Sequence, residues 1–176
     1  MAAPPLSLKA RALQWLAQRE HSRVELRRKL LRVAHKSAQA AGGDGGDSDC
    51  DAKADAAIEV DALLDWLIAQ RYLSEARFVE SRVNARAARY GELRIRQELG
   101  QHGAMLDAAT HARLKGSEVA RARAAWLRKF GDTCAATAKE RARQMRFLAG
   151  RGFSGDVIRQ VLRGSDGDAG DPGDSA

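Results

Sequence analysis

The sequence is short of aromatic residues, β-branched residues and cysteines, and each shortage argues against a class of protein. Aromatic residues make up only 5% of the 176 residues, so the apolar core must be thin and built mainly from Leu and Ala. Val and Ile are sparse, which disfavours β-sheet. The two cysteines, Cys50 and Cys134, have no second cysteine or histidine at ligand spacing, so a disulfide framework and a zinc site are both weak interpretations.

Long apolar runs and catalytic motifs are missing as well. Without a run of about 18 apolar residues, no membrane span is predicted. The N-terminus lacks the apolar segment of a secretory signal, so we expect a cytoplasmic protein. Phosphate-binding glycine loops, zinc-protease motifs and serine-nucleophile motifs do not occur, and a lone histidine is more often a surface residue or a helix-dipole partner than a catalyst. We therefore predict a monomer without a cofactor that acts by binding a partner and is not an enzyme.

Positive charge is what the sequence has in excess. The net charge is +7 and the isoelectric point is about 9.9, which suits a polyanionic or acidic partner. Two Gly/Asp-rich segments, residues 36–57 and 164–176, are themselves acidic, so the rest of the chain is more basic than the total suggests. Their composition predicts disorder, because such segments cannot bury enough apolar surface to offset the entropy lost on ordering.

The rest of the chain predicts nine short amphipathic helices. Apolar residues recur at helical spacing, and the abundant Ala, Leu, Arg and Glu all favour helix. Ser22-x-x-Glu25 has the spacing of a capping box ahead of the second helix. Four residues of the eighth helix are expected to face inward: Ala138, Ala142, Met145 and Ala149.

Similar segments recur along the chain and predict an all-α fold of three tandem three-helix repeats, each resembling a helix-turn-helix unit. The predicted repeats are residues 1–73, which contain the acidic insertion 36–57, then 74–116 and 117–163, followed by the acidic tail. In the third repeat Gln144 falls where Ile95 would align, which breaks the register. The residues predicted to build the core and the helix ends are Trp15, Leu26, Leu30, Phe78, Ile95, Leu99, Gly103, Trp126, Leu148, Gly152 and Phe153.

Basic residues cluster on one helix of each predicted repeat. Arg82, Arg86 and Arg89 recur at i, i+4 and i+7, which places them on one helix face. Arginine suits bidentate recognition of carboxylate or phosphate, although any single stripe is equally well explained as a solvated face. No aromatic residue lies among these arginines in a stacking pattern, so we predict weak, phosphate-based contact with nucleic acid and no base specificity. The predicted partner-binding residues are Arg23, Arg27, Arg28, Lys29, Arg32, Arg82, Arg86, Arg89, Lys139, Arg143 and Arg146.

Four segments, in order along the chain, resemble the signatures of the bacterial regulatory protein family RecX. The first covers residues 12–26 and includes Arg19-Glu20-His21-Ser22. The second is RYLSEARFVES at 71–81, the third is GELRIRQEL at 91–99 followed by Gly103, and the fourth is FLAGRGFS at 147–154. Together the resemblance covers residues 8–163.

The resemblance implies an elongated, curved arrangement of the three repeats and negative regulation of the recombinase RecA. It implies binding in the groove of the RecA–single-stranded DNA filament and inhibition of the ATPase, strand-exchange and coprotease activities, by blocked growth or by disassembly. The insertion at 36–57 departs from the short connection of the family. The alternative is a helix-turn-helix protein that acts directly on duplex DNA, which predicts a single recognition helix with base-reading side chains.

Overall fold

The computed structural model describes residues 6–40, 48–131 and 135–167, and within these ranges the chain is built from nine α-helices without a β-strand. The all-α fold class predicted from the sequence is therefore confirmed. The helices are α1 Leu8–Gln18, α2 Arg23–Ala40, α3 Ser48–Ala69, α4 Glu75–Ala87, α5 Glu92–Gln101, α6 Ala108–Gly116, α7 Glu118–Phe130, α8 Ala138–Gly150 and α9 Gly155–Gly167.

Side-chain caps mark the first turns of several helices. Ser22 Oγ accepts a hydrogen bond from the Glu25 amide at 3.1 Å, which is one half of the predicted capping box, while the Glu25 carboxylate pairs with Arg19. A complete capping box opens α8, where Thr137 and Glu140 exchange both side-chain-to-backbone bonds. Such caps satisfy amide groups that have no partner inside the helix.

Helix replaces the disorder predicted for much of the acidic insertion. Because α2 continues to Ala40 and α3 begins at Ser48, residues 36–40 and 48–57 are helical. Alanine recurs through both stretches and is the strongest helix former, and this preference outweighs the aspartates. The helix α9 likewise extends to Gly167, so residues 164–167 of the predicted disordered tail are helical. Residues 41–47 and 168–176 lie outside the described residues.

The chain divides into two compact units, and the division falls inside α4. Unit 1 comprises Met1–Ser81 with His102–Ala104, and unit 2 comprises Arg82–Gln101 with Met105–Ala176. The boundaries of the three repeats, after residues 73 and 116, stay a prediction from the sequence.

The core of unit 1 lies between α1, α2 and α3. Leu26 and Leu30 are fully buried there, and Trp15 is half-buried and packs against the same cluster. Phe78, also fully buried, meets the ring of His102 edge-on at 5.6 Å between ring centroids. Gly103 follows α5 with a φ of +70°, a conformation that glycine adopts without the steric penalty of a Cβ.

The core of unit 2 is formed largely by α7, α8 and α9. Trp126, Leu148 and Phe153 are buried in one cluster with residues of α9. Ile95 and Leu99 of α5 are buried as well.

The predicted inward face of α8 is wrong. The structure buries Gln144 and Leu148 and leaves the Met145 side chain 42% exposed. The alanines form a stripe displaced by one residue from the true inner face, because Leu148, with the larger apolar side chain, determines which face packs. Gln144 is buried like Ile95, with which it aligns, so a polar residue occupies a core position in α8.

Candidate partner and nucleic-acid interface

The predicted basic residues of α2 divide into paired and unpaired side chains. Arg27 makes a bidentate ion pair with Asp61 of α3, with N–O distances of 2.7 and 2.8 Å, and Arg23 lies 2.6 Å from Asp65. The hydrogen-bonded carboxylate raises the pKa of Arg27, and the guanidinium lowers the pKa of Asp61. These two arginines join α2 to α3, so part of the predicted binding stripe holds unit 1 together.

Arg28 and Arg32 are exposed and, among the residues that the structure describes, have no carboxylate partner. Lys29 is partly buried, with its ammonium 5.2 Å from the centroid of the Trp15 ring and 2.9 Å from Nε2 of His21. Of the five predicted residues of α2, Arg28 and Arg32 therefore offer the most accessible charge.

His21 is buried, whereas an isolated histidine was expected at the surface. The side chain is 1% exposed, with Nδ1 2.9 Å from the Arg19 carbonyl and Nε2 facing Lys29. An ammonium group can only donate a hydrogen bond, so Nε2 accepts and the proton of the neutral imidazole lies on Nδ1. Burial is the main cause that lowers the pKa of His21, which favours this neutral form.

The predicted stripe of Arg82, Arg86 and Arg89 is also only partly accessible to a binding partner. Arg86 pairs with Glu98 of α5 at 3.0 Å, and Arg82 is half-buried with an interaction partner of its own. Arg89 is not on the helix face predicted for it, because α4 ends at Ala87 and Arg89 lies in the turn that follows. It is exposed and has no carboxylate partner within the described ranges. On α8, by contrast, Lys139, Arg143 and Arg146 are all exposed.

Three further arginines, missed by the search for stripes, surround the C-terminal end of α4. Arg121 donates hydrogen bonds to the carbonyl oxygens of residues 87 and 90 at 2.9 and 2.8 Å. Arg128 donates to the carbonyl of residue 88 at 2.7 Å, and Arg151 to that of residue 89 at 3.0 Å. We refer to Arg121, Arg128 and Arg151 as the arginine collar. Residue 87 is the last of α4 and residues 88–90 follow it. Their carbonyls have no acceptor role inside the helix, so guanidinium groups can satisfy them.

Two glycines bring the third and fourth signature segments into contact. The Gly91 amide donates to the Arg151 carbonyl at 2.9 Å, and the Leu93 amide donates to the Gly152 carbonyl at 3.2 Å. A Cβ atom on Gly91 would lie 2.2 Å from the Gly152 oxygen, and one on Gly152, whose φ is +80°, would lie 2.5 Å from Cβ of Arg94. The glycines therefore permit a backbone contact that no larger residue allows without movement.

A cleft of about 310 Å³ opens beside the collar. We call it the basic cleft, and the residues that matter for its chemistry are four cations and two aromatic rings: Arg89, Arg128, Lys129, Arg151, Tyr90 and Phe147. The described lining residues include no carboxylate. The guanidinium of Arg151 lies 4.5 Å from the centroid of the Phe147 ring. The fold thus brings Tyr90 and Phe147 together with arginines from separate segments of the chain, although no stacking pattern was predicted from the sequence.

Two family models match the chain, one for the second three-helix domain of RecX over residues 74–104 and one for the third three-helix domain over residues 117–162. A relative named regulatory protein RecX, from Ralstonia nicotianae, is 47% identical over 170 residues, which cover 94% of each chain. The chain belongs to the RecX family. RecX proteins from Leptothrix cholodnii and Herbaspirillum seropedicae are 50% identical over 165 residues and 44% identical over 174 residues. They cover 93% and 98% of this chain, and 92% and 99% of their own lengths.

Membership of the RecX family confirms the resemblance found in the sequence. The matches to the second and third RecX domains contain both sides of the collar, because residues 87–90 lie in one match and all three arginines lie in the other. Within the described ranges, none of the helices has the length and apolarity that crossing a membrane requires.

Proposed function

We propose that the chain is a cytoplasmic negative regulator of the recombinase RecA that acts by binding and not by catalysis. It binds in the groove of the RecA–single-stranded DNA filament and inhibits the ATPase, strand-exchange and coprotease activities, by blocking filament growth or promoting disassembly. The observation that supports this proposal most directly is the 44–50% identity to RecX regulatory proteins over nearly the whole chain.

The distribution of accessible charge supports a ligand with many negative sites. Exposed cations without a carboxylate partner among the described residues occur in unit 1, at Arg28 and Arg32, and in unit 2, at Arg143 and Arg146. A repeating filament offers several contacts to one molecule, and linked weak contacts gain about 10²–10⁴ in avidity. Contact with nucleic acid itself is weak and independent of sequence on this proposal, because it is made through phosphates.

The test is a titration of the DNA-dependent ATPase of RecA on single-stranded DNA. One bound molecule affects many filament subunits, so we expect inhibition at amounts well below one per RecA. Inhibition only at concentrations that also coat naked DNA would mean simple competition for the strand and would contradict the filament proposal.

The alternative function is a helix-turn-helix protein that acts directly on duplex DNA. Accessible cations are spread over α2, α8 and the turn after α4. This favours the regulator, since sequence reading requires base contacts concentrated on one recognition helix. A strong preference for one duplex sequence that persists at high salt would reverse this choice.

A further inference from the structure

We propose that the basic cleft is a binding site for one nucleotide unit of single-stranded nucleic acid, with the phosphate held by the cations and the base stacked on Arg151. The proposal deepens the nucleic-acid contact proposed above and rests on it, but it does not depend on inhibition of RecA. It gives that contact a location, in unit 2, and a preference for unpaired bases.

The positive charge of the cleft lining favours binding of an anion. The described lining residues bring Arg89, Arg128, Lys129 and Arg151 around one space without a carboxylate to balance them. Cations held this close repel one another, and a phosphate that binds among them relieves the repulsion. The volume of about 310 Å³ lies at the lower end of the range for small-ligand sites, about 300–1,000 Å³, which suits a single nucleotide unit.

Two of these cations are already held in position. Arg128 and Arg151 each bind a backbone carbonyl at the end of α4. A guanidinium has five N–H donors, so most of those on Arg151 are not used by this single bond. A fixed guanidinium loses less conformational entropy when it binds a phosphate than a free side chain does.

The aromatic rings distinguish a nucleotide from an acidic peptide, which would need only the charges. Arg151 lies over the Phe147 ring at 4.5 Å, and both residues line the cleft. Bases of single strands stack on guanidinium planes as well as on aromatic rings, so a base can continue the stack that Phe147 and Arg151 begin. In duplex DNA the bases are already stacked on each other, so they cannot also stack on the guanidinium of Arg151.

The charge part of the proposal is tested with the double variant R89A/K129A. Neither side chain makes a hydrogen bond or ion pair with the residues described here, so both can be removed without loss of a structural contact. The matched control is R113A/R123A. It removes two other exposed cations of unit 2, one of them on α7 and on the opposite side from the cleft by helical spacing.

Binding of a fluorescent thymidine oligonucleotide is followed by anisotropy at several salt concentrations. Each phosphate contact with a single strand contributes about 0.7 to the slope of log affinity against log salt. R89A/K129A removes two of the four cations that hold this one phosphate and should lower the slope by up to about 0.7, whereas R113A/R123A should leave it unchanged. Equal losses in the two variants would overturn the assignment of the cleft.

The base part is tested with an abasic oligonucleotide of the same length and with the variant R151K. Stacking of one base is worth roughly 5- to 150-fold in affinity, so wild type should prefer the thymidine strand by at least about 5-fold. R151K keeps the charge and one donor for the Arg89 carbonyl but lacks the planar group. It should lose this preference without a change in salt slope, and circular dichroism verifies that it is folded.

The possible results distinguish a failure of the nucleotide site in the basic cleft from a failure of the nucleic-acid contact in the proposed function. If wild type binds neither oligonucleotide, the nucleic-acid contact of the proposed function fails together with the cleft. If wild type binds but R89A/K129A behaves like its control, only the cleft is refuted. Equal binding of thymidine and abasic strands, or displacement by polyglutamate as efficiently as by thymidine strands, would overturn the nucleotide in favour of a general anion or acidic-peptide site.

Discussion

The contact between Gly91 and Gly152 makes a sharp prediction for the substitution Gly91→Ala. The added Cβ would lie 2.2 Å from the Gly152 oxygen, 2.3 Å from its carbonyl carbon and 2.4 Å from the Phe153 nitrogen. All three are backbone atoms, so no side chain can rotate away and the segments before α5 and after α8 must separate. Because Gly91 does not have a positive φ, the whole effect is steric.

The expected loss in the free energy of unfolding has two parts, overpacking and weakened hydrogen bonds. Overpacking in a dense region costs about 1–3 kcal/mol. The movement also weakens the bonds from the Gly91 amide to the Arg151 carbonyl and from the Leu93 amide to the Gly152 carbonyl, each worth about 0.5–1.5 kcal/mol. Gly91→Ala should therefore lower the free energy of unfolding by about 2–6 kcal/mol.

Urea denaturation measures this change, followed by circular dichroism and by the fluorescence of Trp126 in unit 2, with Trp15 and Trp66 replaced by Phe in all variants. Gly100→Ala in α5 and Gly150→Ala in α8 are the controls, because a Cβ at either position meets nothing within 4 Å. Alanine in a helix should stabilise the protein there by about 0.5–1 kcal/mol. If Gly91→Ala were as stable as wild type within about 0.5 kcal/mol, the close approach of the two segments would be wrong.

Three further predictions concern the charged residues. Because burial lowers the pKa of His21, its contribution to stability should be constant above pH 6.5, the ordinary pKa, fall as the pH drops below 6.5 and level off below the lowered pKa. Calorimetry from about pH 7 to 5 should show this slope in wild type and a smaller one in His21→Gln. Arg121→Ala removes the bonds to the carbonyls of residues 87 and 90 and should lower the free energy of unfolding by about 2–4 kcal/mol, measured by urea denaturation. The control is Arg123→Ala, an exposed neighbour on the same helix, which should change it by less than about 0.5 kcal/mol. Replacing Arg28 and Arg32 together by Ala should leave the circular dichroism spectrum unchanged, since both side chains are exposed. The double variant should require more protein than wild type for half-inhibition of the RecA ATPase. An unchanged titration would exclude this face of α2 from the filament contact.

Local patterns in the sequence are sufficient to predict the helices and much of the core. Leu26 and Leu30 are four residues apart on one face of α2, and both are fully buried. The errors arise where a local pattern competes with packing. Alanines marked the inner face of α8, but alanine fits a core and a surface equally well, and Leu148 decided the orientation. Glycine and aspartate led to the prediction of disorder for residues 36–57, although alanine is the commonest residue of that segment and extends α2 and α3 into it from both ends.

The partners of the arginines could not be predicted from local spacing, because they come from distant parts of the chain. Arg27 and Asp61 are 34 residues apart, and Arg23 and Asp65 are 42 apart. For the collar the separation reaches 62 residues, between Arg151 and the Arg89 carbonyl. Every residue has a backbone carbonyl, so the residue type cannot show which carbonyl accepts the bond. The single local signal is the spacing of seven residues between Arg121 and Arg128, which places both on one face of α7.

The excess of positive charge therefore has two different uses in this chain. Guanidinium groups of the collar supply the donors that the end of α4 requires, and no lysine could replace the several bonds that Arg121 makes. Once fixed there, Arg128 and Arg151 hold positive charge at the edge of the basic cleft, so the same side chains that stabilise unit 2 also prepare it for an anion. Substitution of those two arginines would alter folding and binding together. The side chains of Arg89 and Lys129 line the same cleft without a hydrogen bond or ion pair to any described residue, so these are the positions at which binding can be separated from stability.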